Sequence, residues 1–184
     1  MFTTKDVSLI LNITASHASK ILERLLKAGA VIRVKRSKWI LVGQKDPLSI
    51  VEHLTSPSPS YVSLYSALYY HGIISQIPSK IYCITLAKTH NITTPLGEYS
   101  FHHITPELFY GFEISHDGIA MAIPEKALVD YFYLYSAKSR LFIALPELTI
   151  PKRFGLKKVK IMINKIPDKK RRKWVEKLLN HYLF

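Results

Sequence analysis

The order of local signals over residues 4–42 constrains this chain more than any other feature. A short helix, a three-residue turn, a longer helix and a basic hairpin follow one another without a gap. Thr3 with Asp6 three residues on forms a capping-box-like start, and Val7, Ile10 and Leu11 supply the apolar set of the first helix. Asn12, Ile13 and Thr14 make the turn. The spacing then predicts a helix over 15–28, with Gly29 where a left-handed residue would end it. Ala18, Ile21, Leu22, Leu25 and Leu26 recur at i, i+3, i+4, i+7 and i+8, so they share a face expected to pack on the first helix. Alternating stretches over 31–34 and 39–42 predict two strands joined by Lys35, Arg36, Ser37 and Lys38. Together these elements have the layout of a winged helix-turn-helix, a module whose second helix enters the major groove of DNA.

Charge sorts the residues of this module into roles. Ser16, His17, Ser19 and Lys20 lie near the start of the second helix, where hydroxyl, imidazole and ammonium groups reach base edges, so they are the candidates for base contact. Arg24, Arg33, Lys35, Arg36 and Lys38 are the candidates for phosphate contact. Lys27 also belongs to the outward face, and Glu23 there would repel phosphate. The formal net charge of +13 is unevenly spread over the chain. Residues 1–45 hold nine basic and two acidic side chains, 46–150 five and nine, and 151–184 twelve and two. An acidic middle between basic ends implies that only certain surfaces face a polyanion.

Beyond the module, 184 residues leave room for one medium domain, read here over 46–184 with a basic helical tail over 151–184. A short helix is expected over 48–54, and the Ser/Pro stretch 55–59 is the best linker candidate. From Ser60 the set Tyr61, Leu64, Tyr65, Leu68 and Tyr69 predicts a helix running to His71, with Gly72 as its stop. Strands are expected over 81–87 and 98–104, and a hairpin over 111–123 turning at His116 and Asp117. Pro124 and Glu125 start a helix whose apolar run 127–135 must be largely buried. Two tail helices follow over 156–166 and 168–183, the second with Trp174, Val175, Leu178, Leu179 and Tyr182 in one stripe. The fold class expected is α+β: an N-terminal winged helix-turn-helix, then a mixed α/β domain with a helical C-terminal tail.

The segment Asp46-Pro47-Leu48, the run Tyr61-Val62-Ser63-Leu64-Tyr65-Ser66-Ala67-Leu68-Tyr69-Tyr70-His71-Gly72, Pro78, and Pro124-Glu125-Lys126-Ala127-Leu128-Val129-Asp130 resemble the AbiEi-like antitoxins of prokaryotic type IV toxin–antitoxin systems. The likeness covers nearly the whole chain. It implies a winged-helix domain joined to an α+β antitoxin-type domain, repression of the protein's own operon at an inverted repeat, and opposition to a nucleotidyltransferase-like toxin without a stable complex. Family members carry a helix ahead of the Phe2-Thr3-Thr4 start, and here Phe2 is the second residue. Either 48–54, a partner chain or the second domain is therefore expected to cover the apolar face that such a helix would meet, or the module is weakened. Local physics gives the other family residues plain roles: His71 capping its own helix, Ser63 and Ser66 allowing close helix packing, and Lys126 with Asp130 forming an exposed i, i+4 pair worth about 0.2–0.5 kcal/mol.

Signals for catalysis are weak, and the chain is expected not to be an enzyme, with no cofactor or metal. His102 and His103 are adjacent and so face opposite ways in a strand, and adding His90 and His116 needs a convergence that nothing in the spacing supports. There is no Gly-rich phosphate loop, no Gly-Ser followed by paired aspartates as in a nucleotidyltransferase, and no nucleophile elbow. Asp168 two residues before Lys170 is a nuclease-like pairing that a run of cations explains by chance. Cys83 stands alone and reads as a core thiol in a reducing compartment, and no signal segment or membrane-length apolar run is seen, so a cytoplasmic protein is expected. The tail cations Lys169, Lys170, Arg171, Arg172 and Lys173 form either a second phosphate-binding surface or a solvated helix face. Double-stranded DNA is the partner expected, with two copies of the chain on an inverted repeat. Two alternatives stay open: a nucleic-acid-processing enzyme targeted by the winged helix, and an interaction protein that docks a basic partner through its acidic middle.

Overall fold

The computed structural model describes residues 1–43, 46–135 and 147–183 and shows an α+β protein. The boundary expected at residues 45/46 falls partly outside the described residues, because 44 and 45 are not among them. The N-terminal part runs β1 (Phe2–Thr3), α1 (Thr4–Ile10), α2 (Ala15–Lys27), β2 (Val31–Lys35) and β3 (Lys38–Leu41). Its three strands form an antiparallel sheet in the order β1-β3-β2, with Phe2 opposite Trp39 and Val31 opposite Leu41. Local chemistry sets both helix starts. Thr3 and Asp6 close a reciprocal capping box on α1, and Thr14 Oγ1 accepts the His17 amide at 3.3 Å to cap α2.

Strand alternation divides this small sheet between two cores. Val31 and Trp39 face α2 and pack with Leu22, while Val34 and Ile40 point the other way. That second face is covered by a one-turn 3-10 helix (Pro47–Ile50) and α3 (Val51–Thr55), whose Ile50, Val51 and Leu54 fill the space between the two sheets. The Ser/Pro stretch expected as a linker is instead a turn inside the second unit. Thr55 is buried and its hydroxyl lies 2.8 Å from that of Ser60.

The second sheet contains β4 (Ser60–Val62), β5 (Ile81–Thr85), β6 (His90–Thr94), β7 (Gly97–His103), β8 (Phe112–Ile114) and β9 (Ala120–Ala122), in the order β6-β7-β5-β4-β9-β8. It is mixed: β5 runs parallel to β7 and β4 to β9, and the other pairs are antiparallel. The helix expected from Ser60 is corrected here, since residues 60–62 form a central strand and α4 spans only Leu64–Tyr70. Val62, Cys83, Tyr99 and Phe101 face the N-terminal part, while Tyr61 and Ile84 face α4, α5 (Pro124–Tyr135), α6 (Leu156–Asn164) and α7 (Lys169–Leu183). Every residue from Glu125 to Leu134 is buried, so α5 is the central post of the larger core.

Candidate nucleic-acid interface

Helix α2 presents its polar face to solvent. Ser16, His17, Lys20, Glu23, Arg24 and Lys27 are all exposed, whereas Ala18 and Leu22 are buried. Ser19 departs from the reading as a base contact: it is half-buried, because a 100° step per residue turns it toward Leu22 and away from Lys20. The inward arc is also incompletely covered. Leu25 and Leu26 are 37% and 39% exposed, and on α1 only Val7 packs inward, with Ile10 81% and Leu11 51% exposed. The segment 48–54 does not cover this face, since its side chains are used on the opposite side of the small sheet.

The hairpin is tighter than the sequence implied. Its strands extend to Lys35 and resume at Lys38, leaving Arg36 and Ser37 as a two-residue turn in which Ser37 takes φ +60°. Arg36 and Lys35 are exposed. The Arg33 guanidinium lies 5.4 Å above the Trp39 ring, which holds it on the α2 side of the sheet. Lys38 does not join this group, because it shares the face of Ile40 and its Nζ donates to the His53 carbonyl at 2.6 Å. This hydrogen bond holds the half-buried Lys38 ammonium beside α3, apart from Lys35 and Arg36 with which the sequence reading groups it.

The tail cations divide in the same way. Arg171 donates through Nε to the Tyr133 carbonyl at 3.1 Å and stacks on the Tyr133 ring at 3.9 Å, while Arg172 donates twice to the Ile166 carbonyl. These two arginines anchor α7, and Lys169, Lys170 and Lys173 remain exposed. Trp174 is off the apolar stripe expected for it: Val175 and Leu179 are buried, but Trp174 is 48% exposed.

The motif residues of the second unit make tertiary contacts that the sequence did not disclose. Lys126 and Asp130 are not a surface pair; both are buried, Lys126 Nζ donates to Asp130 Oδ1, and the other carboxylate oxygen accepts from Ser63 Oγ at 2.8 Å and Tyr61 OH at 3.0 Å. Burial pushes the Asp130 carboxyl above its ordinary range, with Lys126, Ser63 and Tyr61 pulling it back. Leu64, at φ +53°, turns the chain sharply between β4 and α4 and so holds Ser63 at the carboxylate. The Gly111 backbone passes so close to Lys126 that a Cβ at 111 would stand 3.0 Å from its Cγ. His71 is the C-cap residue of α4, where its backbone N–H donates to the Ala67 carbonyl at 3.0 Å, but its imidazole serves a distant element: Nε2 donates to the Ala122 carbonyl at 2.8 Å and ties α4 to β9. Ser66 accepts the Tyr82 amide at 2.8 Å, and Glu125 accepts the Gly155 amide at 2.8 Å.

A cleft of about 330 Å³ opens between the Asp46 junction, the end of α4 and the β8–β9 hairpin, and Asp46, Glu113, Asp117, Tyr70 and His71 are among its lining residues. Among the described residues no group of three or more His, Cys, Asp or Glu side chains is placed to hold a metal ion, and no helix is long and apolar enough to cross a membrane. Comparison with protein-family models and with curated proteins gives no match to this chain.

Proposed function

We propose that this protein is a DNA-binding transcriptional repressor and antitoxin of a type IV toxin–antitoxin system, whose N-terminal part is a winged helix-turn-helix. One observation carries the reading: α2 is capped at Thr14, exposes Ser16, His17, Lys20, Arg24 and Lys27 together, and is followed by a hairpin that leaves Arg36 exposed at its tip. In such a module α2 enters the major groove, Ser16, His17 and Lys20 meet base edges, and Arg24, Arg33, Lys35 and Arg36 hold phosphates. The opposite face of the small sheet is occupied by the second unit. That attachment fixes the reader to the rest of the chain while leaving α2 open to a duplex.

The family part of the proposal rests on the sequence resemblance. It assigns autoregulation at an inverted repeat by two copies of the chain, and a nucleotidyltransferase-like toxin as the functional partner. Protection of the region upstream of the protein's own gene against nuclease digestion tests the DNA reading, with two half-sites about 10 base pairs apart, or a multiple of that, as the expected pattern. Co-expression with the neighbouring gene product tests the antitoxin reading, with restored growth expected. Uniform protection without half-sites would reject operator binding, and undiminished toxicity would reject the antitoxin assignment. A second reading draws on the acidic cleft: Asp46, Glu113 and Asp117 at its walls favour docking of a basic segment of a partner protein, and co-purification with such a partner tests it.

A further inference from the structure

The exposed indole of Trp174 sits in a setting that its fold does not explain. The chain has two tryptophans. Trp39 is 2% exposed and its Nε1 donates to Thr4 Oγ1 at 3.0 Å, which is the ordinary fate of an indole in a core. Trp174 is 48% exposed, although burying it would remove a large apolar area from water. Its orientation is imposed by the rest of α7. Arg171 and Arg172 anchor the first turns to Tyr133 and Ile166, while Val175 and Leu179 enter the core, and this fixes the helix rotation that turns position 174 outward.

The neighbours of Trp174 on that outward face are cationic. Lys170 stands four residues before it and Lys177 three after, which places both beside the ring, and Lys173 adjoins them. All three lysines are exposed. Lys169, Lys170 and Lys173 gather at the positive end of the α7 dipole, where Asp168 Oδ1 accepts the Arg171 amide at 2.8 Å, and Glu176 is the one acid within the helix. An accessible aromatic plane flanked by exposed cations is the chemistry that stacks a nucleobase while holding the phosphates on either side.

We propose that the Trp174 face of α7, with Lys170, Lys173 and Lys177, binds single-stranded nucleic acid. A duplex keeps its bases stacked on one another and offers no face to an indole, so it would use the lysines alone. An anionic membrane is the poorer fit, because an interfacial helix must bury an apolar stripe in the lipid, and the stripe of α7 is already committed to Val175 and Leu179 in the core. The site is separate from the α2 surface and does not rest on the duplex reading.

The test uses the full chain, oligo(dT) and oligo(U) of fifteen or so nucleotides, a mixed-sequence duplex, and phosphatidylglycerol-containing vesicles. Trp39 lies under Arg33, a proposed phosphate contact, so its emission is followed in Trp174→Phe, which keeps Trp39 alone, and subtracted to leave the quenching that reports on Trp174. Both single strands should quench it. By anisotropy of labelled oligonucleotide, Trp174→Ala should weaken single-strand binding about tenfold or more, and Trp174→Phe, which keeps an aromatic plane, should retain most of it. Replacing Lys170, Lys173 and Lys177 by Ala should lower the salt slope by about 0.7 for each phosphate no longer neutralised. Duplex binding should be insensitive to Trp174→Ala, while Lys20→Ala with Arg36→Ala should weaken duplex and spare single strand, which separates failure of this site from failure of the operator reading. The proposal is overturned if Trp174→Ala binds single strands as the parent does, or if the emission responds only to vesicles. Circular dichroism confirms that each variant is folded, as an exposed position allows.

Discussion

A carboxylate and an ammonium sealed in a core lose their hydration, and only mutual contact and further hydrogen bonds offset that loss. Asp130 has Lys126, Ser63 and Tyr61 as donors, so removing it strands a buried cation. Asp130→Ala is expected to cost about 3–5 kcal/mol in denaturant unfolding. A Lys126→Met, Asp130→Leu double variant, which removes both charges, should cost distinctly less, and equal costs would contradict the pairing. His102 supplies a pH test. It is buried, with Nε2 3.0 Å from Ser100 Oγ and its ring stacked on Tyr82, and burial pushes its imidazole down to about 4. The neutral ring is the folded form, and the unfolded chain takes up the proton first as pH falls below about 6.5. Stability due to this group is therefore intact above about pH 6.5 and falls progressively toward about pH 4, by roughly 3 kcal/mol. His102→Gln should flatten that limb of the stability profile; an unchanged limb would assign it to other groups.

The starts of α1 and α2 are legible in the sequence because their capping is local chemistry: Thr3 with Asp6, and Thr14, act within three residues of themselves. Thr14→Ala is expected to cost about 0.5–2 kcal/mol and to weaken duplex binding as α2 frays, read by thermal melting and anisotropy. A variant with unaltered melting would mean that the cap adds nothing. What lies across from an element is not legible. The spacing of Leu25 and Leu26 gives the face they share with Leu22, but nothing local states that this end of the face stays half-open. Strand β4 is concealed because Tyr61, Leu64, Tyr65 and Leu68 have helical spacing across what is in fact a three-residue strand, a turn at Leu64 and a helix. Strand β6 carries its own signal in the sequence: His90–Thr94 is rich in β-branched residues, and Pro95 and Gly97 mark its hairpin to β7. The exposure of Trp174 depends on how Arg171 and Arg172 rotate α7, which the stripe spacing alone does not contain.

At the scale of the molecule, the basic ends and acidic middle counted from the sequence correspond to separate surfaces: α2 with the hairpin tip, the α7 face, and the cleft at the junction. The two sheets share the core built on Val34, Ile40, Ile50, Val51, Leu54, Tyr99 and Phe101, so they should unfold together. Ile50→Ala is expected to cost about 2–5 kcal/mol and to lower hydrogen-exchange protection of β3 and β7 equally. A decrease confined to β3 would show the N-terminal part to be an independent unit. The partition of Lys38 and Arg171 away from the exposed cations also belongs to this scale, since each is captured by an element distant in sequence. The central claim is that α2 and the hairpin tip hold a DNA duplex. Its most direct test is salt-dependent anisotropy with a duplex from the region upstream of the protein's own gene, comparing the parent with a Lys20→Ala, Arg24→Ala, Arg36→Ala variant. The expected result is weaker binding and a slope of log affinity against log salt that is shallower by about 0.9 for each phosphate the variant no longer neutralises. The same affinity and the same slope in both proteins would contradict the claim.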